Sequence, residues 1–220
     1  MADVVWLGDA LEVLRGFPEP VQGDLGYALY QVQLGQMPPD SKPMRTVGPG
    51  VYELRDQDER AWYRVFYLKK IANLVYVLHC FEKRTAQTEQ KDIEVARERL
   101  KRLHEQQRAK EKRQVGRPPD KGSVLDELNM SPQDRLELKL KADLHQDILK
   151  LIKKKRFTPR QLEKLFDIPQ PRVSELLRGK LSLISVSRLL YYANLLGARA
   201  DVRLKPSRQQ MRKLTEVEIA

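Results

Sequence analysis

Between Lys101 and Gly122 the chain carries almost no large apolar side chain, running Arg-Leu-His-Glu-Gln-Gln-Arg-Ala-Lys-Glu-Lys-Arg-Gln-Val-Gly-Arg-Pro-Pro-Asp-Lys-Gly after the first lysine. Such a stretch cannot bury enough surface to fix its own conformation. Its first part can extend a helix, whereas Gly116, Pro118 and Pro119 stop any helix and make a hinge. The apolar patterns on either side must then close cores of their own, and 220 residues leave room for two domains of about 100 residues each. The expected organisation is a domain at 1–103, a basic Pro/Gly linker at 104–121, a second domain at 122–205 and a loosely ordered tail at 206–220.

Upstream of the break the pattern is α+β. Val4, Val5 and Trp6 suit a short strand. Asp9, followed three residues later by Glu12, reads as a capping box for a helix that ends at Gly16-Phe17-Pro18. A second helix is expected from Pro20, with Val21, Leu25, Leu29 and Val32 at helical spacing and Gly35 closing it. Pro38, Pro39 and Pro43 make a rigid loop. Apolar runs at 51–54, 62–68 and 73–79, rich in Val, Tyr and Phe and divided by charged or Asn-containing turns, predict a meandering antiparallel sheet. A last helix from about Gln90 places Ile93, Ala96, Leu100 and Leu103 on one stripe, able to lie on one face of that sheet.

Downstream the pattern is all helical until its end. Ser131-Pro132 opens a long helix in which Leu136, Leu140, Leu144 and Ile148 recur every four residues. It drifts to Leu151 and Ile152 and ends in Lys153-Lys154-Lys155-Arg156, cations that offset the helix dipole and also suit backbone phosphate. Residues 158–179 then read as two short helices joined by a tight corner, a helix-turn-helix. Thr158 caps the first, Pro159 takes its first position, and Leu162 and Leu165 face inward. Asp167 takes the corner, where Gly is common because the backbone turns left-handed, and Pro169 stands where a Ser or Thr cap is usual.

Such a pair sets its second helix in the major groove of DNA, so Gln170, Arg172 and then Ser174 are the expected base readers. Arg160, Arg178 and Lys180 are placed to hold phosphates. The blander alternative is a three-helix unit that only packs on a protein partner. Ser185 starts a further helix through Leu189, Leu190, Ala193 and Leu196, and Ala200-Asp-Val-Arg-Leu reads as a short C-terminal strand. A lone strand needs a partner, either its own copy in a homo-oligomer or the sheet of the first domain.

The net charge of +11 is uneven: residues 1–110 carry 17 Lys+Arg against 16 Asp+Glu, and residues 111–220 carry 24 against 14. A basic field of that size attracts polyanions, although an RNA, a membrane surface or an acidic tail would satisfy it as well as DNA. Cys80 alone makes no intrachain disulfide, no apolar run approaches a membrane span, and Met-Ala-Asp lacks the blocks of a signal peptide, so a cytoplasmic protein without membrane contact is expected. Three His and one Cys spread along the chain make no metal set, and neither a Gly-rich phosphate loop nor a Ser nucleophile elbow occurs. No cofactor is expected.

The succession Trp-Leu-Gly-Asp-Ala-Leu, Leu-Gly-Gln-Met-Pro-Pro-Asp-Ser-Lys-Pro, Gly-Val-Tyr-Glu-Leu-Arg, Tyr-Arg-Val-Phe-Tyr and Val-Leu-His-Cys-Phe-Glu-Lys-Arg-Thr-Ala-Gln-Thr resembles, over residues 3–103, the phage-derived HigB-type toxins of the RelE superfamily. The resemblance implies an mRNA endonuclease that acts in the ribosomal A site. Where that family has Thr-Pro, this chain has Thr88-Glu89, a change at the start of the last helix, where Glu suits the dipole. Residues 122–205, most specifically Pro-Arg-Val-Ser-Glu-Leu-Leu-Arg-Gly-Lys and Leu-Ser-Leu-Ile-Ser-Val-Ser-Arg-Leu-Leu, resemble the HigA-type, XRE-like antitoxins that accompany such toxins. That implies operator binding and autorepression.

Cleaving RNA with its own 2′-hydroxyl needs that oxygen aligned, the charge on the phosphorane balanced and a proton delivered to the leaving group. Arg55 and Arg64 on neighbouring strands and Lys83-Arg84 after the third predict a basic cleft that meets those needs. The resemblance matches Arg64 to the family's transition-state arginine in its Tyr-Arg-Val-x-Tyr strand and places Arg55 and Lys83 near its other basic positions. His79, in the apolar run Leu74–Cys80, is a second-rank candidate, since a satisfied strand histidine suits that setting better than a general base. Phe81 or Tyr67 can stack on a base, and their spacing equally fits ordinary packing. Arg55 and Arg64 equally fit ion pairs with Asp56, Asp58 or Glu59 in a solvated hairpin.

The combined reading is a toxin-like nuclease fused to its antitoxin, with mRNA on the ribosome, operator DNA and the antitoxin domain, in cis or in trans, as partners. A linker that spans the gap sets an effective concentration of about millimolar, so the resting nuclease is expected to be silent. The segment 122–130, with Asp126 and Glu127, is expected to dock near the basic cleft or on the nuclease's helices. The competing class is a DNA-binding regulator whose first domain has lost catalysis. A third is an RNA-binding regulator without cleavage.

Overall fold

The computed structural model describes residues 1–71, 73–83, 90–111 and 123–200. In chain order these form β1 (Asp3–Trp6), α1 (Ala10–Arg15), α2 (Glu19–Gln33), β2 (Lys42–Pro43), β3 (Val51–Gln57), β4 (Trp62–Ile71), β5 (Leu74–Lys83) and α3 (Gln90–Glu111). There follow α4 (Val124–Glu127), α5 (Pro132–Lys155), α6 (Pro159–Phe166), α7 (Gln170–Arg178), a 3-10 turn at Leu181–Leu183 and α8 (Val186–Leu195). An α+β region thus precedes a helical one, as the pattern predicts.

The sheet has the order β1-β5-β4-β3-β2. Strands β3, β4 and β5 meander antiparallel, but β1 pairs with β5 in parallel, so the sheet is mixed. A parallel pair needs a long crossover, and α1, α2 and the hairpin provide it. The strands overrun the apolar runs of the sequence because their charged ends stay in the ladder, with Arg55 opposite Arg64 and Trp62 opposite Lys83.

Helices cover both faces. Ala96, Leu100 and Leu103 of α3 pack on Phe66, Leu78 and Phe81, while α1 and α2 pack on Leu54, Val65, Tyr67 and Val77. The expected capping box at Asp9 does not form. Asp9 takes the N-cap position without a side-chain cap bond, and its carboxylate accepts from Arg99 of α3 at 2.6 Å instead. That ion pair holds the Asp9 carboxyl below its ordinary value and ties α1 to the opposite layer.

Helix α2 is buried on two sides, and its second side receives residues from beyond the break. A Cβ on Gly26 would lie 2.6 Å from Leu128 Cδ1, so glycine is what allows this approach. Val124, Leu125, Leu128, Leu138, Ala142 and Leu181 join Leu25, Leu29 and Tyr67 in one continuous core. Two buried glutamines of α2 bracket α4. Gln22 donates to Phe17 O at 2.7 Å and accepts from the Asn129 N–H at 3.2 Å. Gln33 donates to Ala2 O at 2.9 Å and accepts from the Val124 N–H at 2.9 Å. The expected docking of 122–130 therefore takes place, for the described residues 123–130, on the first domain's helices and β1 and not at the basic cleft. Glu127 accepts from Trp6 Nε1 at 2.6 Å, whereas Asp126 turns back to Lys139.

A second core contains Ile148, Ile152, Leu162, Phe166, Val173, Leu176, Leu189, Tyr192 and Leu196. Helix α5 serves both cores, with Leu138 and Ala142 in the first and Ile148 and Ile152 in the second. Its buried stripe begins out of phase with the expected one: Leu136 and Leu140 are exposed, because the helix turns Leu138, Ala142 and His145 inward. Thr158 and Gln161 close a capping box, and Asp167 takes the left-handed corner at φ 51°. Pro169 caps α7 without a side-chain bond. The hinge at 112–122, the strand expected after Ala200 and the tail lie outside the described residues.

Candidate nucleic-acid interface

Register brings the expected cations together. Arg55 and Arg64 face each other across β3 and β4, Arg64 lies beside Phe81, and Lys83 stands opposite Trp62, two residues from Arg64 on the same face. Like charges directly opposite repel one another, so the arrangement needs a counter-charge. Glu53 supplies it, with Oε1 3.0 Å from Arg64 Nε. That Arg64 Nε is not aligned for a hydrogen bond, and the head group instead donates from its other nitrogen to Tyr63 O at 3.0 Å and Asp56 O at 3.4 Å. Arg55 Nε is buried without a hydrogen-bond partner. Burial pushes the Arg64 and Lys83 pKa values down, and repulsion between the two cations adds to the effect at Lys83 while Glu53 opposes it. The result is a row of cations in which the Arg55 and Arg64 Nε groups make no hydrogen bond within the protein, an arrangement suited to a doubly charged oxyanion.

His79, by contrast, is a strut. Its Nε2 lies 3.0 Å from Asp92 Oδ1, its ring stacks on Phe81 at 5.2 Å, and burial pushes its pKa down. The two rings proposed to stack on a base are core residues in this conformation. Phe81 packs on Phe66 beneath α3, and Tyr67 is fully buried, stacked on Tyr52 and bonded to Ser41 at 2.7 Å. Neither offers a free face, and of the aromatic rings near the cations it is Trp62, half-buried, that reaches the cleft. Arg84 lies outside the described residues.

Facing Arg55 and Arg64 across a cleft of about 880 Å³ is the recognition helix itself, while Lys83 does not line that cleft. Arg55, Arg64, Trp62 and Asp56 line one wall, and Gln170, Ser174, Arg178 and Lys180 line the other. Lys180 Nζ pairs with Asp56 Oδ1 at 2.6 Å, and Arg178 Nε lies 3.6 Å from Asp40 Oδ1. Ser182, on the turn that follows, donates its N–H and its hydroxyl to the two oxygens of Asp24 at 2.9 and 2.8 Å. Arg172 turns away to Glu175 at 2.8 Å, and Arg160 is exposed on the far side of the corner.

Behind the cleft, Tyr27 of α2 bonds His145 Nδ1 at 2.7 Å, and His145 Nε2 donates to Leu176 O at 2.6 Å. A carbonyl can only accept, so Nε2 carries a proton, and because burial disfavours the charged ring Nδ1 accepts from the tyrosine hydroxyl. Burial pushes the His145 pKa down to about 4. The residues that the sequence did not single out here are Glu53, Asp24, Asp40, Trp62 and the Tyr27–His145 pair, and Asp56, expected as a partner of Arg55 or Arg64, pairs with Lys180 instead while Glu53 pairs with Arg64. The one local signal was Glu53 inside an apolar strand run, since a carboxylate there calls for a cation.

Among the described residues no group of His, Cys, Asp and Glu could hold a metal ion, and no helix is long and apolar enough to cross a membrane. Residues 12–101 match the family model described as phage-derived protein Gp49-like (DUF891), and residues 124–205 match one described as a helix-turn-helix domain. No curated protein and no solved structure matches the chain.

Proposed function

Because residues 12–101 belong to the Gp49-like family of phage-derived, RelE/HigB-type toxins and residues 124–205 are a helix-turn-helix domain, we propose that the chain is a toxin and its antitoxin in one polypeptide. The toxin part cleaves mRNA on the ribosome, and the helix-turn-helix part silences it and represses transcription of its own gene. The observation that carries this reading is the cleft: Arg55 and Arg64, set among carboxylates of the first domain, lie across it from the recognition helix of the second.

In the working nuclease Arg64 balances the charge that grows on the phosphorane, and Arg55 aligns the phosphate from the neighbouring strand. The 2′-oxygen bonds to phosphorus as its proton passes to water, the P–O5′ bond breaks, and Lys83, whose ammonium gives up its proton more readily because of burial and the adjacent arginine, protonates the leaving 5′-oxygen. Glu53 holds Arg64 in place. With the recognition helix across the cleft, a ribosome-bound mRNA cannot reach Arg55 and Arg64 from that side.

The test is induction in bacteria. Residues 1–111 should arrest growth and give cut mRNA ends that map to ribosomes, the full chain should do neither, and Arg64→Ala should abolish both effects of the fragment. A soluble fragment that associates with ribosomes without cutting would refute the nuclease. The continuous core shared by the two regions favours one other reading, a DNA-binding regulator whose first domain serves only as a docking body. The same growth assay separates the two.

A further inference from the structure

We propose that the first domain presents a surrogate phosphate backbone to the helix-turn-helix, so that docking and duplex DNA compete for the same face. The proposal deepens the reading above and rests on its DNA-binding part. Three carboxylates carry it. Asp40 and Asp56 face Arg178 and Lys180, the side chains at the end of the recognition helix and just after it, where a groove-inserted helix meets phosphate. Asp24 receives both the N–H and the hydroxyl of Ser182, which is how a turn holds a phosphate oxygen pair.

Asp24 is buried on α2 and raised to about 6, by burial first and by the neighbouring charge of Asp56 as well. Two carboxylates held close enough to repel one another, each facing a donor from the second domain, copy the charge pattern of a nucleic-acid strand. Gln170 and Ser174, the expected base readers, open into the same cleft. Its volume of about 880 Å³ is that of a small-molecule pocket and cannot admit a duplex whose major groove is about 12 Å wide. A duplex reaches α7 only after Lys180 and Ser182 leave Asp56 and Asp24. The docked chain therefore holds back the nuclease and the repressor together.

The experiment uses the full chain and a labelled duplex of mixed sequence about three helical turns long, read by fluorescence anisotropy at about 0.15 M salt. The variant Asp24→Asn/Asp40→Asn/Asp56→Asn should bind at least about tenfold more tightly than the parent. A control with the same charge change on exposed sites, Glu98→Gln/Glu105→Gln/Glu137→Gln, should gain less than about threefold. Adding Lys180→Ala to the first variant should take back most of its gain. Equal tightening in variant and control would overturn the proposal while leaving DNA binding intact. If no form binds the duplex at any concentration, the proposal and the DNA-reading role of α7 fall together.

A second measurement needs no substitution. Hydrogen exchange at the Ser182 amide of the parent chain should rise when the duplex is saturating. Unchanged protection with DNA bound would also overturn the idea.

Discussion

The contact between α2 and the second domain carries two buried titrating groups whose effects oppose one another, and separating them is a demanding check on the packing. His145 is pushed down from 6.5 to about 4, so the fold favours its neutral form. Its contribution is complete above pH 6.5 and is lost as pH falls towards 4. At pH 5 the loss is about 2 kcal/mol, from about 1.5 pH units at 1.36 kcal/mol each. Asp24 is raised from 3.8 to about 6, so the fold favours its protonated form. Its cost is complete above pH 6 and is relieved as pH falls, by about 1.4 kcal/mol at pH 5. Together these two groups should thus cost the parent chain only about 0.6 kcal/mol between pH 7.5 and 5.

Single variants expose the balance. Asp24→Asn removes the relief, so acidification to pH 5 should cost about 2 kcal/mol, while His145→Gln removes the loss, and the same step should stabilise by about 1.4 kcal/mol. Urea unfolding at the two pH values measures both. Equal pH dependence in the parent and in either variant would mean that the two groups are not buried against each other's domains, and the docked arrangement would be refuted.

Three further outcomes follow from local chemistry and are read by thermal or urea unfolding. Gly26→Val should destabilise by about 1–3 kcal/mol, because its side chain enters the space held by Leu128; a neutral result would place α4 elsewhere. Thr158→Ala should cost about 1 kcal/mol by removing the capping box of α6, with less effect if water replaces the hydroxyl. Arg156→Gly should stabilise by about 0.5 kcal/mol, since Arg156 closes α5 at φ 56°, and a loss would show that its stem packs on the domain.

How far the fold could be read from sequence depended on how local its causes are. The helix-turn-helix was legible because Thr158, Pro159, Asp167 and Gly179 each mark a boundary by backbone chemistry within a few residues. The meander was legible because Val, Tyr and Phe runs alternate with turns, and its register then puts Arg55, Arg64 and Lys83 side by side. The phase of α5 was not, because Leu136, Leu138 and Leu140 leave two faces of one helix equally apolar and only contact with α2 chooses between them. Gln22, Gln33, Asp24 and the true partner of Asp56 were invisible for a related reason. Each has a partner more than ninety residues away, and nothing in its own neighbourhood distinguishes it from a solvated side chain.

The same packing bears on how such a chain is switched. Val124, Leu125, Leu128, Leu138 and Leu181 are each essentially buried against the first domain, worth about 1.5–3 kcal/mol apiece before ordering costs. Buried glutamine brackets add direction to that core, so the contact resembles a divided domain core more than a wet transient interface. Cutting the chain within 112–122 replaces an effective concentration of about millimolar by a cellular one near micromolar, a change of about 4 kcal/mol. That weakens the contact without removing any of it. A chain nicked in this segment should therefore run as one particle on size exclusion at micromolar concentration, with the proposed nuclease still silent. Separation of the two pieces after the nick would mean that the linker, and not the α2 interface, holds the resting state. If they stay together, release requires destruction of the second domain, because its helices α4 and α5 are part of the first domain's core.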